Sequence, residues 1–153
     1  MKKVGFLVDD LGPSQSSYFL IRSLNGWLAK SHEHDAIVFQ RTTVRPCSEP
    51  RFALFTATDL PGFQGPVIST SFSCAQQLLK TQGPCKLAYY MQDVEWLRQA
   101  RSWEEWQSVF ANEHLQILTR GSSHARLFRQ CWNREVSLVE DFNMEQILEA
   151  LEC

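Results

Sequence analysis

The sequence of 153 residues has no hydrophobic run that approaches the roughly 18 apolar residues a membrane-spanning helix needs. The apolar segment that follows Met1 and two lysines soon meets Asp9 and Asp10, so it is also too short for a signal peptide. We therefore expect no membrane-spanning segment and a cytoplasmic location.

An excess of positive charge is also missing. The 15 Lys and Arg residues are interspersed with 17 Asp and Glu residues, and the formal net charge is -2. Electrostatic binding to nucleic acid needs a basic stripe, so no general nucleic-acid binding is expected. The five cysteines are odd in number and form no C-x-x-C pair, which favours reduced thiols over a metal site.

Three motifs that carry common chemistry are absent from the sequence. The chain lacks the G-x-G-x-x-G dinucleotide fingerprint, the G-x-x-x-x-G-K-[ST] phosphate loop and the G-x-S-x-G nucleophile elbow. No cysteine has the sequence context of a recognised nucleophile family. We expect no cofactor, and a small hydrolase or redox protein is the least favoured class.

The residues that are present predict a single α/β domain over residues 1–153. Short runs of branched and aromatic residues alternate with segments of helical hydrophobic spacing, from a strand over residues 3–8 to a final helix over residues 144–151. This alternation favours a Rossmann-like three-layer sandwich. We expect a mostly parallel sheet of about six or seven strands with helices on both faces.

Ligands of open parallel sheets collect beyond the carboxyl ends of the strands, where helices begin. After the first predicted strand, Gly12 permits a tight turn, and Ser14, Gln15 and Ser17 can bond sugar hydroxyls or a phosphate. The preferred interpretation is nevertheless that this loop only turns the chain and caps the next helix. A ligand contact is supported by the location of the loop and not by its residues.

A second polar segment follows the aromatic strand predicted over residues 86–91. Gln92, Asp93 and Glu95 lie there, and two carboxylates beside a cleft can orient hydroxyls or take a proton. The alternative is a solvated loop in which Asp93 caps a helix over residues 94–100. Both interpretations stay open at the level of residue chemistry.

A third segment, Arg120-Gly121-Ser122-Ser123, places a guanidinium beside hydroxyl residues at a predicted helix start. This setting suits an anionic group, although helix capping is the simpler interpretation.

Histidines and tryptophans offer two further alternatives. His32 and His34 would need distant partners to bind a metal, so solvent exposure is the preferred interpretation. Trp96, Trp103 and Trp106 favour packing in a helical core over a sugar platform or a surface for a partner.

Four segments carry a family resemblance. Val67-Ile-Ser-Thr-Ser-Phe-Ser-Cys-Ala75 precedes Leu87-Ala-Tyr-Tyr-Met-Gln-Asp-Val-Glu95, which contains a Tyr-Tyr-x-Gln-Asp-x-Glu pattern, and residues 117–128 and 136–143 follow. Together they resemble the N-terminal domain of family 4 glycosyltransferases, especially rhamnosyltransferase-like members. In that family two Rossmann-like domains face each other across a cleft. The first mainly binds the acceptor and the second mainly the nucleotide-sugar donor.

The resemblance implies acceptor-side contacts and assigns no catalytic base. The implied ligand-binding residues are Gly12, Ser14, Gln15, Gln92, Asp93, Glu95 and Ser122. The chain departs from the family's glycine-rich first loop, keeping only Gly12 followed by Pro13, and the donor-side pair of glutamates has no counterpart.

Sugar transfer depends on holding the donor and the acceptor together. The resemblance therefore implies that the chain is too short to be the whole enzyme and is inactive alone. We expect it to bind a sugar-containing or nucleotide-containing ligand, or to complete a cleft with a donor-domain partner chain or a second copy. A nucleotide sugar enters only as a donor substrate with such a partner. The alternative is a non-enzymatic protein-interaction module that retains the fold.

Overall fold

One sheet of seven parallel strands forms the centre of the protein, in a computed structural model that describes residues 1–152. The strands are β1 (Lys2–Val8), β2 (His34–Gln40), β3 (Ala53–Thr56), β4 (Val67–Ser69), β5 (Leu87–Met91), β6 (Leu115–Thr119) and β7 (Ser137–Leu138). Their spatial order is β3-β2-β1-β4-β5-β6-β7. The predicted α/β sandwich with a parallel sheet is confirmed.

Five α-helices within the described residues cover the two faces of the sheet. They are α1 (Gln15–Leu28), α2 (Phe72–Leu79), α3 (Trp103–Phe110), α4 (Ser122–Trp132) and α5 (Met144–Ala150). Helices α1 and α5 pack on one face, and α2, α3 and α4 pack on the other. None of these helices is long and apolar enough to cross a bilayer.

The two faces have different cores because successive side chains of a strand point in opposite directions. In β5, Tyr90 joins a largely aliphatic core with residues such as Leu24 and Ile147. Its neighbour Tyr89 joins a cluster of aromatic rings with Phe110 and Phe128 on the other face. The adjacent tyrosines therefore serve opposite sides of the sheet.

Short polar caps start the helices at the carboxyl edge of the sheet. Ser14 accepts a hydrogen bond from the N–H of Ser17 at the start of α1, and Ser71 accepts one from Cys74 at the start of α2. Such caps satisfy backbone donors that the first helical turn leaves free. The capping interpretation of the loop before α1 is thus confirmed for Ser14.

The predicted helix over residues 94–100 is wrong. The chain forms only a short 3-10 turn at Glu95–Leu97, and α3 begins later, behind its cap Ser102. Asp93 accepts a backbone hydrogen bond from Val94, its immediate neighbour (2.7 Å), and caps no helix. The carboxylate of Glu95 turns toward α2 and β5, which ties this turn to the sheet.

Candidate functional site

A polar cleft of about 810 Å³ opens at the carboxyl edge of the sheet. Its walls come from the segments that follow β1, β4, β5 and β6 and from the first turns of α1. The strand order reverses between β1 and β4, and ligands of open α/β sheets bind at such a switch point. Of the seven ligand-binding residues that the resemblance implies, five line this cleft, namely Ser14, Gln15, Gln92, Asp93 and Glu95.

The other two predicted residues do not line the cleft. Gly12 is buried, its N–H donates to Oδ1 of Asp10 (2.8 Å), and a Cβ at Gly12 would lie only 3.0 Å from that oxygen. Close packing of the loop explains this glycine. Ser122 is the exposed first residue of α4, and Arg120, two positions earlier, lines the cleft instead.

The loop before α1 is held by its own serines. Ser14 accepts a hydrogen bond from the Ser17 N–H (3.1 Å) and donates to Oγ of Ser17 (2.9 Å). The Ser17 hydroxyl in turn donates to the carbonyl of Asp10 (3.3 Å). Gln15 is exposed, and its amide has no hydrogen-bond partner within residues 1–152. Capping therefore explains Ser14 and leaves Gln15 available to a ligand.

Glu95 is bound on several sides by the protein. Its carboxylate accepts hydrogen bonds from the N–H of Phe72 (3.0 and 3.2 Å), the hydroxyl of Tyr89 (2.8 Å) and the amide of Gln99 (3.2 Å). Phe72 is the first residue of α2, where negative charge is favoured by the helix dipole. Glu95 therefore fastens the turn after β5 to α2 and β5.

Burial raises the pKa of Glu95 above its ordinary value, although hydrogen bonds from Tyr89 and Phe72 act in the opposite direction. Nearby Asp9 also raises this pKa by like-charge repulsion. The pKa of Tyr89 is raised as well, first by burial and then by Glu95. The Tyr89 hydroxyl thus stays protonated and remains a hydrogen-bond donor to Glu95.

Gln92 and Asp93 differ from Glu95 in their surroundings. Gln92 is partly buried, lines the cleft and has no side-chain hydrogen bond to any residue that the structure describes. Asp93 is exposed and pairs with Arg98, which also lines the cleft. No signal in the sequence places Arg98 at the cleft, because a helix over residues 94–100 was expected there. Of the three predicted residues, Gln92 has the most unused hydrogen-bonding capacity.

Arg120 reaches the cleft from the end of β6 and pairs with Asp141 (Nη2 to Oδ1, 2.7 Å). Asp141 (φ 42°) and Phe142 (φ 57°) both have left-handed backbone conformations. Such conformations cost on the order of 1–3 kcal/mol each and persist only where neighbours enforce them. The loop that presents Asp141 to Arg120 is therefore strained.

The hydroxyl of Tyr90 holds this strained loop in place. It donates a hydrogen bond to the carbonyl of Val139 (3.1 Å) and accepts one from the N–H of Phe142 (3.0 Å). Tyr90 is almost fully buried and also lines the cleft. The second tyrosine of the Tyr-Tyr pair thus connects the centre of the sheet to the loop beside Arg120.

Cys74 lies close to the site without suitable chemistry for a nucleophile. Its thiol is buried, and its Sγ is 3.6 Å from Oδ1 of Asp9. Burial, followed by the charge of Asp9, raises the pKa of Cys74 to about 12. The reactive thiolate form is therefore strongly disfavoured.

The structure also bears on the possible metal site and on the three tryptophans. Within residues 1–152 there is no group of three or more His, Cys, Asp or Glu residues that could hold a metal ion. Trp106 is buried, and Trp96 packs against the same aromatic cluster, so the core interpretation is confirmed for both. Trp103 is 51% exposed and stacks on Trp132 with ring centroids 5.3 Å apart.

The strand order defines a Rossmann-like α/β domain, and its cleft lies at the edge of the sheet where such domains bind ligands. Comparison with known proteins gives no matching family model, curated protein or solved structure. The resemblance to glycosyltransferases stays a prediction, and the function has to be argued from the cleft itself.

Proposed function

We propose that this domain binds a sugar-containing ligand in the cleft, as the acceptor-side half of a glycosyltransferase-like assembly. The observation that carries the proposal is that Gln15 and Gln92 line the same cleft from two separate elements with unpartnered amides. Each amide offers donors and an acceptor, which is the combination that neighbouring sugar hydroxyls need. Their different origins give the ligand two fixed points of contact.

The charges of the cleft support a hydroxyl-rich ligand. Four carboxylates and two guanidinium groups line it, from Asp9, Asp10, Asp93, Glu95, Arg98 and Arg120. This excess of negative charge disfavours a free polyphosphate, whereas carboxylates readily accept hydrogen bonds from hydroxyl groups. The cleft is therefore better suited to a neutral sugar than to a nucleotide alone.

Binding without transfer is the expected activity of the isolated chain. Stabilising a departing diphosphate requires available positive charge. Both cleft arginines already pair with carboxylates, Arg98 with Asp93 and Arg120 with Asp141. In this proposal a partner, either a donor-domain chain or a second copy, supplies the donor-binding half.

An NMR titration tests the proposal. The labelled protein is titrated with a rhamnose-terminated disaccharide, a glucose-terminated disaccharide and UDP-glucose. We expect saturable shifts of the side-chain amides of Gln15 and Gln92 with at least one disaccharide. The exposed Gln130 on α4, which does not line the cleft, serves as the internal control. The proposal fails if neither cleft amide responds to any of the three compounds.

A protein-interaction module is the second candidate, and two exposed apolar side chains favour it. Leu97 is 76% exposed within the segment that forms one wall of the cleft, and Trp103 is 51% exposed shortly after that segment. This candidate predicts loss of partner binding when both are replaced by serine, with no effect on sugar titrations. Sugar transfer from UDP-glucose by the purified chain would contradict an interaction-only role.

A further inference from the structure

A second depression lies beside the cleft and shares one residue with it. Its volume is about 390 Å³, and it opens between the carboxyl ends of β2 and β3 and helix α2. Asp9 lines both cavities and forms the boundary between them. The cleft and the second depression therefore adjoin at Asp9.

Arg41 is the basic residue that lines the second depression. Its Nη1 bonds Oδ1 of Asp9 (2.9 Å) and its Nε bonds Oε1 of Gln77 (2.9 Å). These bonds, one to the residue that follows β1 and one to α2, fix the plane of the guanidinium group. Its Nη2 has no hydrogen-bond partner within residues 1–152, so two preoriented donors remain.

The other groups of the depression complement an oxyanion. The Thr42 hydroxyl lines it without a side-chain hydrogen bond in the described part of the chain. The Thr56 hydroxyl donates to Asp59 (3.0 Å), which removes that donor. Asp9 and Arg41 cancel in charge, so this depression lacks the excess of carboxylates found in the cleft. An oxyanion would find Nη2 of Arg41 and the Thr42 hydroxyl available together.

We propose that the second depression binds an anionic group, a phosphate or a carboxylate, carried by the ligand whose sugar ring occupies the cleft. This inference rests on the proposed function, because the cleft has to hold the sugar. It divides recognition between two places: hydroxyls are bound on the cleft side of Asp9, and the anion is bound on the Arg41 side.

The test compares ligands that share a ring and differ in charge. Glucose, glucose 1-phosphate, glucuronate and inorganic phosphate are titrated separately into the labelled full chain. We expect the two anionic sugars to shift the backbone amides of Thr42, Ala57 and Thr58, whereas glucose shifts only amides of the cleft. The phosphate and carboxylate arms distinguish the two kinds of anion, and inorganic phosphate shows whether the anion binds without the ring.

Substitutions of Arg41 supply the matched variants. Arg41→Gln should weaken the better-bound anionic sugar by about tenfold or more, since a charge-assisted hydrogen bond is lost, and leave glucose binding unchanged. Arg41→Lys keeps the positive charge but loses the planar N–H donors of the guanidinium group, so we expect an intermediate loss of affinity. Arg45→Gln is the control, because Arg45 is exposed and lines neither cavity. Thermal unfolding of each variant confirms that it is folded.

The possible failures are distinguishable. If glucose and the anionic sugars shift the cleft amides equally and Thr42, Ala57 and Thr58 stay unmoved, the second site is refuted and the proposed function stands. If Arg41→Gln binds the anionic sugars as well as the wild type does, the anion is not bound by Arg41 and the inference is also refuted. If the cleft amides respond to no sugar while the three Arg41-side amides respond to inorganic phosphate, the anion site stands and sugar binding in the cleft fails.

Discussion

The two polar segments that flank the cleft use their side chains in different ways. In the loop before α1, Ser14 and Ser17 bond each other and leave Gln15 without a partner. In the segment after β5, Glu95 bonds α2 and β5 and leaves Gln92 without a partner. Each segment thus contains residues that hold the wall and one residue that is available to a ligand. Hydrogen-bond partners, more than residue type, separate these two roles.

Removing the Glu95 carboxylate should have the largest effect on stability. Glu95→Ala leaves the N–H of Phe72 and the hydroxyl of Tyr89 without their acceptor, which costs about 2–3 kcal/mol. Gln92→Ala is the control from the same segment, and we expect it to change the free energy of unfolding by less than about 0.5 kcal/mol. Urea unfolding measures both. If both variants lose the same free energy of unfolding, Glu95 and Gln92 do not differ in their structural role.

The Tyr90 hydroxyl should have the next largest effect. Tyr90→Phe removes the acceptor of the buried Phe142 N–H and the donor to Val139, so the strained loop loses its attachment. We expect a loss of about 1–3 kcal/mol in the free energy of unfolding. Tyr18→Phe is the matched control, because Tyr18 is 53% exposed. A loss no greater than that of the control would show that other contacts hold the loop.

The serine cap of α1 predicts a smaller loss. Ser14→Ala removes the acceptor of the Ser17 N–H and should lower the free energy of unfolding by about 1 kcal/mol. Ser16→Ala removes an exposed hydroxyl that contacts Oγ of Ser14 (3.3 Å) but caps no backbone N–H, so its loss should be clearly smaller. Denaturant unfolding of the two variants compares them directly. If Ser16→Ala costs as much, the capping account of this loop is wrong.

The smallest predicted effect is a pH dependence that Glu95 produces. Because burial raises its pKa, the folded state holds this proton at pH values where the unfolded state has released it. The stability from this group is therefore present below the ordinary carboxyl pKa and falls as pH rises through the raised pKa. Glu95→Gln keeps an acceptor for Phe72 and Tyr89 but removes the ionisation.

The variant should therefore gain stability relative to the wild type as pH increases across that interval. Urea unfolding of both proteins at several pH values measures the difference. A difference that stays constant with pH, or changes in the opposite direction, would contradict the assignment of this titration to Glu95.

Much of the architecture is predictable from the sequence because periodic hydrophobicity is a local property. The alternation of strands and helices and the cap before α1 are examples. The turn at Glu95–Leu97 was not predictable in this way, because its cause is a carboxylate that bonds residue 72, which is distant in sequence.

The candidate site, too, was only partly predictable from the sequence. Parallel topology indicates which loops meet, and it correctly brings Gln15 and Gln92 to one cleft. It does not reveal that the Glu95 carboxylate is bonded by Phe72 and Tyr89, or that Asp9 lies between two cavities. Those facts depend on side-chain directions at contacts between distant segments.

The central claim is that Gln92 contacts the ligand while Glu95 supports the cleft wall, and affinity measured by calorimetry tests it most directly. The rhamnose-terminated and glucose-terminated disaccharides are each titrated into the wild type, Gln92→Ala and Glu95→Gln. For the disaccharide that the wild type binds, we expect Gln92→Ala to weaken affinity by about tenfold and Glu95→Gln to change it by less than about threefold. The reverse order, or no binding of either disaccharide by the wild type, would contradict the account.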